Sequence, residues 1–234
     1  MKKTNRPLIV AEAGSNHEGQ LSVALELLER AKESGADLVK FQAGNAEGFA
    51  RTQADFQFYK KYELGKKGYD ALVKRGKELG IPVFFSVWSE DFAYLRRLPW
   101  FKIAARQISH KAIHDYGHPQ CFVSIPHTIG DSSLLSLGLT GSNSIPLHCV
   151  TMYPTTDAIL WRIGHLRELL KIDVGYSDHT IGIKACVEAA RMRNAVAVEK
   201  HFTLSHDFGP LRDHQLSATP KELSEMVERI KDGW

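Results

Sequence analysis

Charged and polar side chains in this sequence gather at the C-terminal ends of short apolar runs, where packing alone gives no reason for them. One run ends in Glu12, followed by Gly14, Asn16 and His17. Others end in Lys40 and Gln42, in Lys102 and Arg106, and in His148 and Thr151. The last two end in Ser177, Asp178 and His179, and in Glu199, Lys200 and His201. Several cations brought to one place select an anionic ligand, because phosphate and carboxylate leave water only for charge-assisted hydrogen bonds. A phosphorylated or carboxylated substrate is therefore expected. His179 and His201, at the ends of successive runs, could place two imidazoles on one divalent ion and leave other positions open for substrate.

Each of these residues has a structural alternative. A lone strand-end histidine more often satisfies a local hydrogen bond than ligates a metal, and it is the pairing that favours the metal. Lys40, Lys102 and Lys200 occur within apolar runs, where an unpaired ammonium is costly; this argues against merely solvated charges. Asp178 could cap or orient neighbouring backbone, and His148 could be a hydrogen-bonded core residue.

The elements that would carry these groups follow from periodicity. Eight short β-rich runs start at Pro7, Leu38, Val83, Trp100, Cys121, Ser144, Val174 and Ala195, and amphipathic helical runs alternate with them. That alternation predicts a parallel sheet with crossover helices. The clearest helix is Leu21 to Ser34, with Leu21, Ala24, Leu25, Leu28 and Ala31 on one face and Gly35 as its stop. Leu160 to Leu170, Gly182 to Met192 and Lys221 to Ile230 read similarly. Thr219 before Pro220 is an N-cap with proline at the first helical turn. Eight β/α units filling residues 1–234 predict one domain, a closed (β/α)8 TIM barrel, with its active site at the C-terminal ends of the strands. The longest insertion, Asn45 to Lys67, carries Phe49, Phe56, Phe58, Tyr59 and Tyr62 and is expected to form a lid or an interface.

Bulk properties narrow the class. Hydrophobic residues at 43% and charged residues at 24% suit a globular domain that needs no staples. The net charge of +3 is interspersed, without the Lys/Arg runs that track nucleic acid. Cys121, Cys149 and Cys186 lie in apolar stretches without paired spacing, as reduced thiols do. The apolar run after Arg6 breaks at Glu12, too early for a signal peptide or a membrane span. A cytoplasmic protein is expected.

Five segments carry a resemblance: IVAEAGSNHEG from Ile9, GADLVKFQ from Gly35, HCVTMYPT from His148, VGYSDHTIG from Val174 and VEKHFTL from Val198. In this order, at strand ends, they resemble the N-acetylneuraminate (sialic acid) synthase family over almost the whole chain. The resemblance implies condensation of phosphoenolpyruvate with the open-chain aldehyde of an N-acylated amino sugar, giving a 2-keto sugar acid and phosphate. It implies a divalent metal, Mn²⁺ or Mg²⁺, on His179 and His201. It further implies that Lys40, Lys102 and Ser177 hold phosphoenolpyruvate, that Ser86 and Ser124 stand at matching strand ends, and that Glu12 serves proton transfer or acceptor orientation. Asn16, Gln42, Arg106, Thr151, Tyr153, Asp178 and Lys200 complete the expected substrate site.

The sequence also departs from the family pattern. Ser86-Val87-Trp88 replaces Ser-Thr-Pro, and Lys102-Ile103-Ala104-Ala105-Arg106-Gln107 replaces Lys-Ile-Gly-Ser-Gly-Glu, removing two hydroxyls and an acid. Ser124-Ile125-Pro126 replaces Ser-Thr-Gly, Thr151 replaces an Asn or Ser, and an insertion separates Gly209-Pro210 from Asp213-His214. The resemblance covers the synthase barrel and not the family's C-terminal antifreeze-like domain, so a homodimer or a separate partner protein is a further expectation. Two other functions remain open on these residues: a lyase or aldolase with Lys102 or Lys200 as a Schiff base, and a non-catalytic binder of sugar acids.

Overall fold

The computed structural model describes residues 6–50, 52–116, 120–140 and 144–232. Eight parallel strands close into a barrel in chain order: β1 (Leu8–Gly14), β2 (Leu38–Ala43), β3 (Val83–Val87), β4 (Phe101–Ile103), β5 (Cys121–Pro126), β6 (Ile145–Cys149), β7 (Gly175–Asp178) and β8 (Ala197–His201). β1 pairs with β2 on one side and β8 on the other, and Glu12 stands level with both Lys40 and His201. The expected (β/α)8 barrel is therefore the observed fold, and closure removes every sheet edge.

The helices are α1 (Leu21–Glu33), α2 (Ala46–Phe49), α3 (Gln53–Lys60), α4 (Gly65–Leu79), α5 (His110–Tyr116), α6 (Asp131–Leu135), α7 (Trp161–Leu170), α8 (Lys184–Arg193), α9 (Asp213–Leu216) and α10 (Pro220–Lys231). On α1, Ala24, Leu27, Leu28 and Ala31 are buried. That stripe is rotated slightly from the expected one, leaving Leu21 exposed and Leu25 half-buried. Gly35 ends this turn at φ +90°, and a Cβ there would lie 3.1 Å from Val227 Cγ1. Thr219 and Glu222 form a reciprocal capping box at the start of α10, with Pro220 in its first turn.

One expectation, at β4, needs correction. The insertion after β2, where a lid or an interface is expected, holds α2, capped by Asn45 through Gly48 N, and α3. Its aromatic residues gave no clean helical stripe; Tyr62 is buried, and the side chains of Phe49 and Phe58 lie outside the described set. β4 spans three residues rather than running on to Arg106, because the chain turns into a 3-10 helix at Ala105–Gln107.

Side chains alternate along each strand between the barrel interior and the helix layer. Inside, Val10, Leu38, Phe84, Trp100, Phe122, Leu147 and Ala197 form an apolar floor, with the Trp100 and Phe122 rings stacked 5.1 Å apart. Gly175 belongs at this level because a Cβ would sit 2.5 Å from Leu147 Cδ2 and 2.6 Å from Ala197 O. Outside, the remaining apolar strand residues pack against the helices as the main core. Among the described residues, no helix is long and apolar enough to cross a membrane.

Candidate active site

One step above the floor the interior turns polar: Glu12, Lys40, Ser86, Lys102, Ser124, Cys149, Ser177 and Glu199 are all buried there. Glu199 organises this layer. Its carboxylate takes Lys102 Nζ at 2.8 and 2.9 Å and Ser177 Oγ at 2.9 Å, and Lys40 Nζ lies 3.5 Å away. Burial opposes its ionisation, but Lys102 and Lys40 outweigh that and hold its pKa below the ordinary carboxylate range. Lys40 also meets Glu12 Oε2 at 2.6 Å. This ion pair is too oblique for a hydrogen bond, and both Glu12 carboxylate oxygens otherwise lack a partner among the described residues. Burial pulls the Lys40 ammonium down to about 7, against the opposing pull of Glu199. The Cys149 thiol beside this cluster is pushed by burial up to about 11, so it stays protonated.

Above the charged layer stand His179 and His201, with ring centroids 5.4 Å apart. Burial lowers His179 to about 4 and drives His201 well below the ordinary histidine range, so both rings are neutral at pH 7. His179 Nδ1 donates to Val150 O at 2.5 Å, which leaves the lone pair on Nε2. Among the described residues, His201 Nδ1 has no hydrogen-bond partner, and the nearest acid to it is Asp213 Oδ2 at 3.9 Å. Tyr153 stacks on His179 at 4.0 Å and meets His201 edge-on at 5.8 Å. At the rim, the Arg212 guanidinium lies over the Tyr153 ring, 5.2 Å from its centroid. Two buried neutral imidazoles with lone pairs to give suit a divalent cation whose remaining positions go to substrate or water. Among the described residues, no set of three or more His, Cys, Asp or Glu is arranged around one ion.

The sequence-derived candidates therefore divide. Glu12, Lys40, Lys102, Ser177, Ser86 and Ser124 share the interior layer, and His179, His201, Gln42 and Tyr153 lie over it. Asp178 and Lys200 do not face this space. Lys200 Nζ contacts Asp178 Oδ2 at 2.7 Å and Thr180 O at 2.6 Å, while Tyr176 and the α8 residue Cys186 also contact Asp178. The expectation of substrate contact at Asp178 and Lys200 is corrected by strand alternation, which turns them to the helix side. Asn16 is buried as a tie, its Nδ2 donating to Phe202 O at 2.9 Å and Ser217 Oγ at 3.0 Å. Thr151 is exposed beyond β6, where its amide meets His127 Nδ1 at 3.4 Å. Arg106 is exposed and rests 5.0 Å from the Trp88 ring centroid. Val87 packs in the outer core, so its missing hydroxyl faces away from the interior. His148 is a core residue, bonded to Ala158 O at 3.0 Å. The sequence places Glu199 at a strand end but assigns it no role there, although its alternation with His201 marks it as inward-facing.

Comparison with known proteins finds a family and both sequence and structural relatives. The NeuB family profile matches residues 27–118 and 127–234. N,N'-diacetyllegionaminic acid synthase of Campylobacter jejuni is 33% identical, covering 99% of this chain and 76% of that protein. Human N-acetylneuraminate-9-phosphate synthase is 28% identical, covering 95% of this chain and 69% of that protein. The crystal structure of N-acetylneuraminic acid synthetase from Leptospira borgpetersenii superposes with a TM-score of 0.87 at 29% identity, covering 97% of this chain and 84% of that one. With the match spread over both segments of the barrel and over strands that carry the buried lysines and histidines, the chain belongs to the NeuB family.

Proposed function

We propose that this chain joins carbon three of phosphoenolpyruvate to the aldehyde carbon of an N-acyl amino sugar, releasing phosphate and a 2-keto sugar acid. The observation that carries this reading is vertical: two buried lysines and Ser177 lie directly beneath two neutral histidines in one barrel. Lys40, Lys102 and Ser177 supply charge-assisted donors for phosphate and carboxylate, with Ser86 and Ser124 as neutral donors beside them. Bringing an anion to this layer requires Lys40 and Lys102 to share their protons with it as well as with Glu12 and Glu199. His179 and His201 would hold Mn²⁺ or Mg²⁺, which when bound polarises the aldehyde oxygen.

The bond changes set what the residues must do. As the new carbon–carbon bond forms, carbon two becomes cation-like, and Glu199 and Glu12 stabilise it electrostatically. Water adds to carbon two, and the resulting hemiketal phosphate collapses by cleavage of its carbon–oxygen bond to phosphate. The water gives up a proton and the former aldehyde oxygen takes one. Glu12, whose carboxylate oxygens accept no hydrogen bond among the described residues, is the group suited to moving it. The test is phosphate release from phosphoenolpyruvate across a panel of aldoses, with and without Mn²⁺. Metal-dependent release only with an N-acyl amino sugar supports the reading, and no release with any aldose overturns it.

A second reading rests on one observation, the lowering of Lys40 to about 7, which would allow an imine to a keto acid. Borohydride trapping at Lys40 would favour that aldolase chemistry over condensation.

A further inference from the structure

We propose that Arg212 reads the far end of the aldehyde substrate and selects one bearing an anionic group there, a phosphate ester or a carboxylate. The inference rests on the condensation reading, in which the aldehyde oxygen sits at the histidines. Tyr153 connects that position to the rim: one face stacks on His179 at 4.0 Å, and the Arg212 guanidinium lies 5.2 Å from the ring centroid. An open-chain six-carbon aldehyde, at ~1.5 Å per carbon–carbon bond, extended by a terminal phosphate or carboxylate, is comparable in length to the 4.0 Å and 5.2 Å steps from His179 to Tyr153 and from Tyr153 to Arg212. Its terminal group, on this reading, lies toward the guanidinium.

That guanidinium has capacity to spare. Its side chain is 74% exposed, and its charged neighbour is Asp213, reached only at 3.7 Å through Nε. A guanidinium lying over an aromatic ring and, among the described residues, without a carboxylate closer than 3.7 Å presents its outer N–H groups to a phosphate or carboxylate in the bidentate manner that favours arginine. Arg212 follows the turn around Gly209 and precedes α9, whose His214 is buried and bonded to Glu18 Oε1 at 3.0 Å and Thr203 Oγ1 at 2.7 Å. The backbone next to Arg212 is thus anchored to the β1 and β8 loops, and the exposed side chain sits on a fixed base. Asp213 faces His201 rather than the rim, so within two residues one acid points inward and one cation outward.

The test uses two non-reacting probes: the open-chain alditol of an N-acyl amino hexose and the same alditol carrying a terminal phosphate. Binding of each to the full chain is measured by calorimetry with Mn²⁺ present, for the parent, Arg212→Gln and Arg212→Lys. The parent is expected to prefer the phosphate ester by at least about fivefold, a modest margin for an exposed charged contact, and the margin shrinks at ~0.5 M salt. Arg212→Gln loses the margin with the neutral alditol unchanged within about twofold, and Arg212→Lys recovers part of it. Equal binding of the two alditols by the parent, no binding of either, or a margin that survives Arg212→Gln overturns the inference. Phosphate release with a neutral amino sugar reads the condensation itself without Arg212. Turnover without alditol discrimination sinks only this inference, and discrimination without any turnover sinks only the condensation.

Discussion

Lys200 Nζ lies 2.7 Å from Asp178 Oδ2, with both side chains fully buried, and each residue immediately precedes one of the paired histidines. The pair fastens the ends of β7 and β8 from behind. Replacing Lys200 with Met leaves a buried carboxylate whose remaining side-chain and backbone partners, among the described residues, are Tyr176, Thr180 and Cys186. Stability is expected to fall by about 3 to 5 kcal/mol, and Asp178→Asn added to Lys200→Met should recover part of that. Urea unfolding of the parent and the two variants decides it; a single variant as stable as the parent would show that the ion pair contributes nothing.

Loss of either imidazole should weaken metal binding directly. His179→Ala and His201→Ala are each expected to reduce Mn²⁺ affinity at least about tenfold, since even outer partners of metal ligands contribute 10 to 100-fold. Titration with Mn²⁺ monitored by its paramagnetic resonance reads this without turnover. If both variants titrate like the parent, the histidine pair is not the metal site.

The depressed ammonium of Lys40 gives a pH prediction with a definite sign. The group binds an anion when protonated, and burial sets its folded pKa at about 7. Phosphoenolpyruvate affinity should therefore fall as pH rises from 7 to 9, by up to about tenfold per unit. Lys40→Met should bind weakly at every pH and lose the slope. Folding runs the other way: between about 7 and the ordinary 10.5 the unfolded chain holds the Lys40 proton more tightly, so this group's contribution to stability rises with pH. Dialysis of labelled phosphoenolpyruvate over that range would contradict the assignment if the parent and Lys40→Met gave parallel curves.

The capping box of α10 is remote from the interior and tests the scaffold alone. Thr219→Ala removes the hydroxyl that accepts from Glu222 N at 3.4 Å and donates to its carboxylate at 2.9 Å. A loss of about 1 kcal/mol is expected, read as a lower urea midpoint with unchanged slope. A midpoint equal to the parent's would mean that Pro220 alone starts the helix.

The barrel was legible because strand and helix periodicities alternate without interruption, and the five motif segments fall at strand ends. What alternation also contained, and the candidate list passed over, is direction. If Ser177 and His179 face inward then Asp178 cannot, and if His201 faces inward then Glu199 must and Lys200 cannot. Grouping by strand end merged the two faces. Other misses needed long-range contacts: Asn16 bonds to residues 186 and 201 positions away, and no local pattern announces that. The partners of Lys40 and Lys102, Glu12 and Glu199, come from other strands, so no local pattern pairs them. The short helices after β2 were hidden because capping by Asn45, not an apolar stripe, starts the first of them.

The apolar floor has a kinetic consequence. Val10, Leu38, Phe84, Trp100, Phe122 and Leu147 pack across the lower end of the barrel, so, among the described residues, the polar layer is reached from the side of the histidines. Whatever occupies Lys40 and Lys102 must pass His179 and His201 on the way in and again on the way out. Under the condensation reading, phosphoenolpyruvate is then the compulsory first reactant, and an aldehyde already seated at the histidines obstructs it. Raising the aldehyde concentration should produce substrate inhibition that rising phosphoenolpyruvate relieves, the pattern of a queue imposed by the shape of the protein.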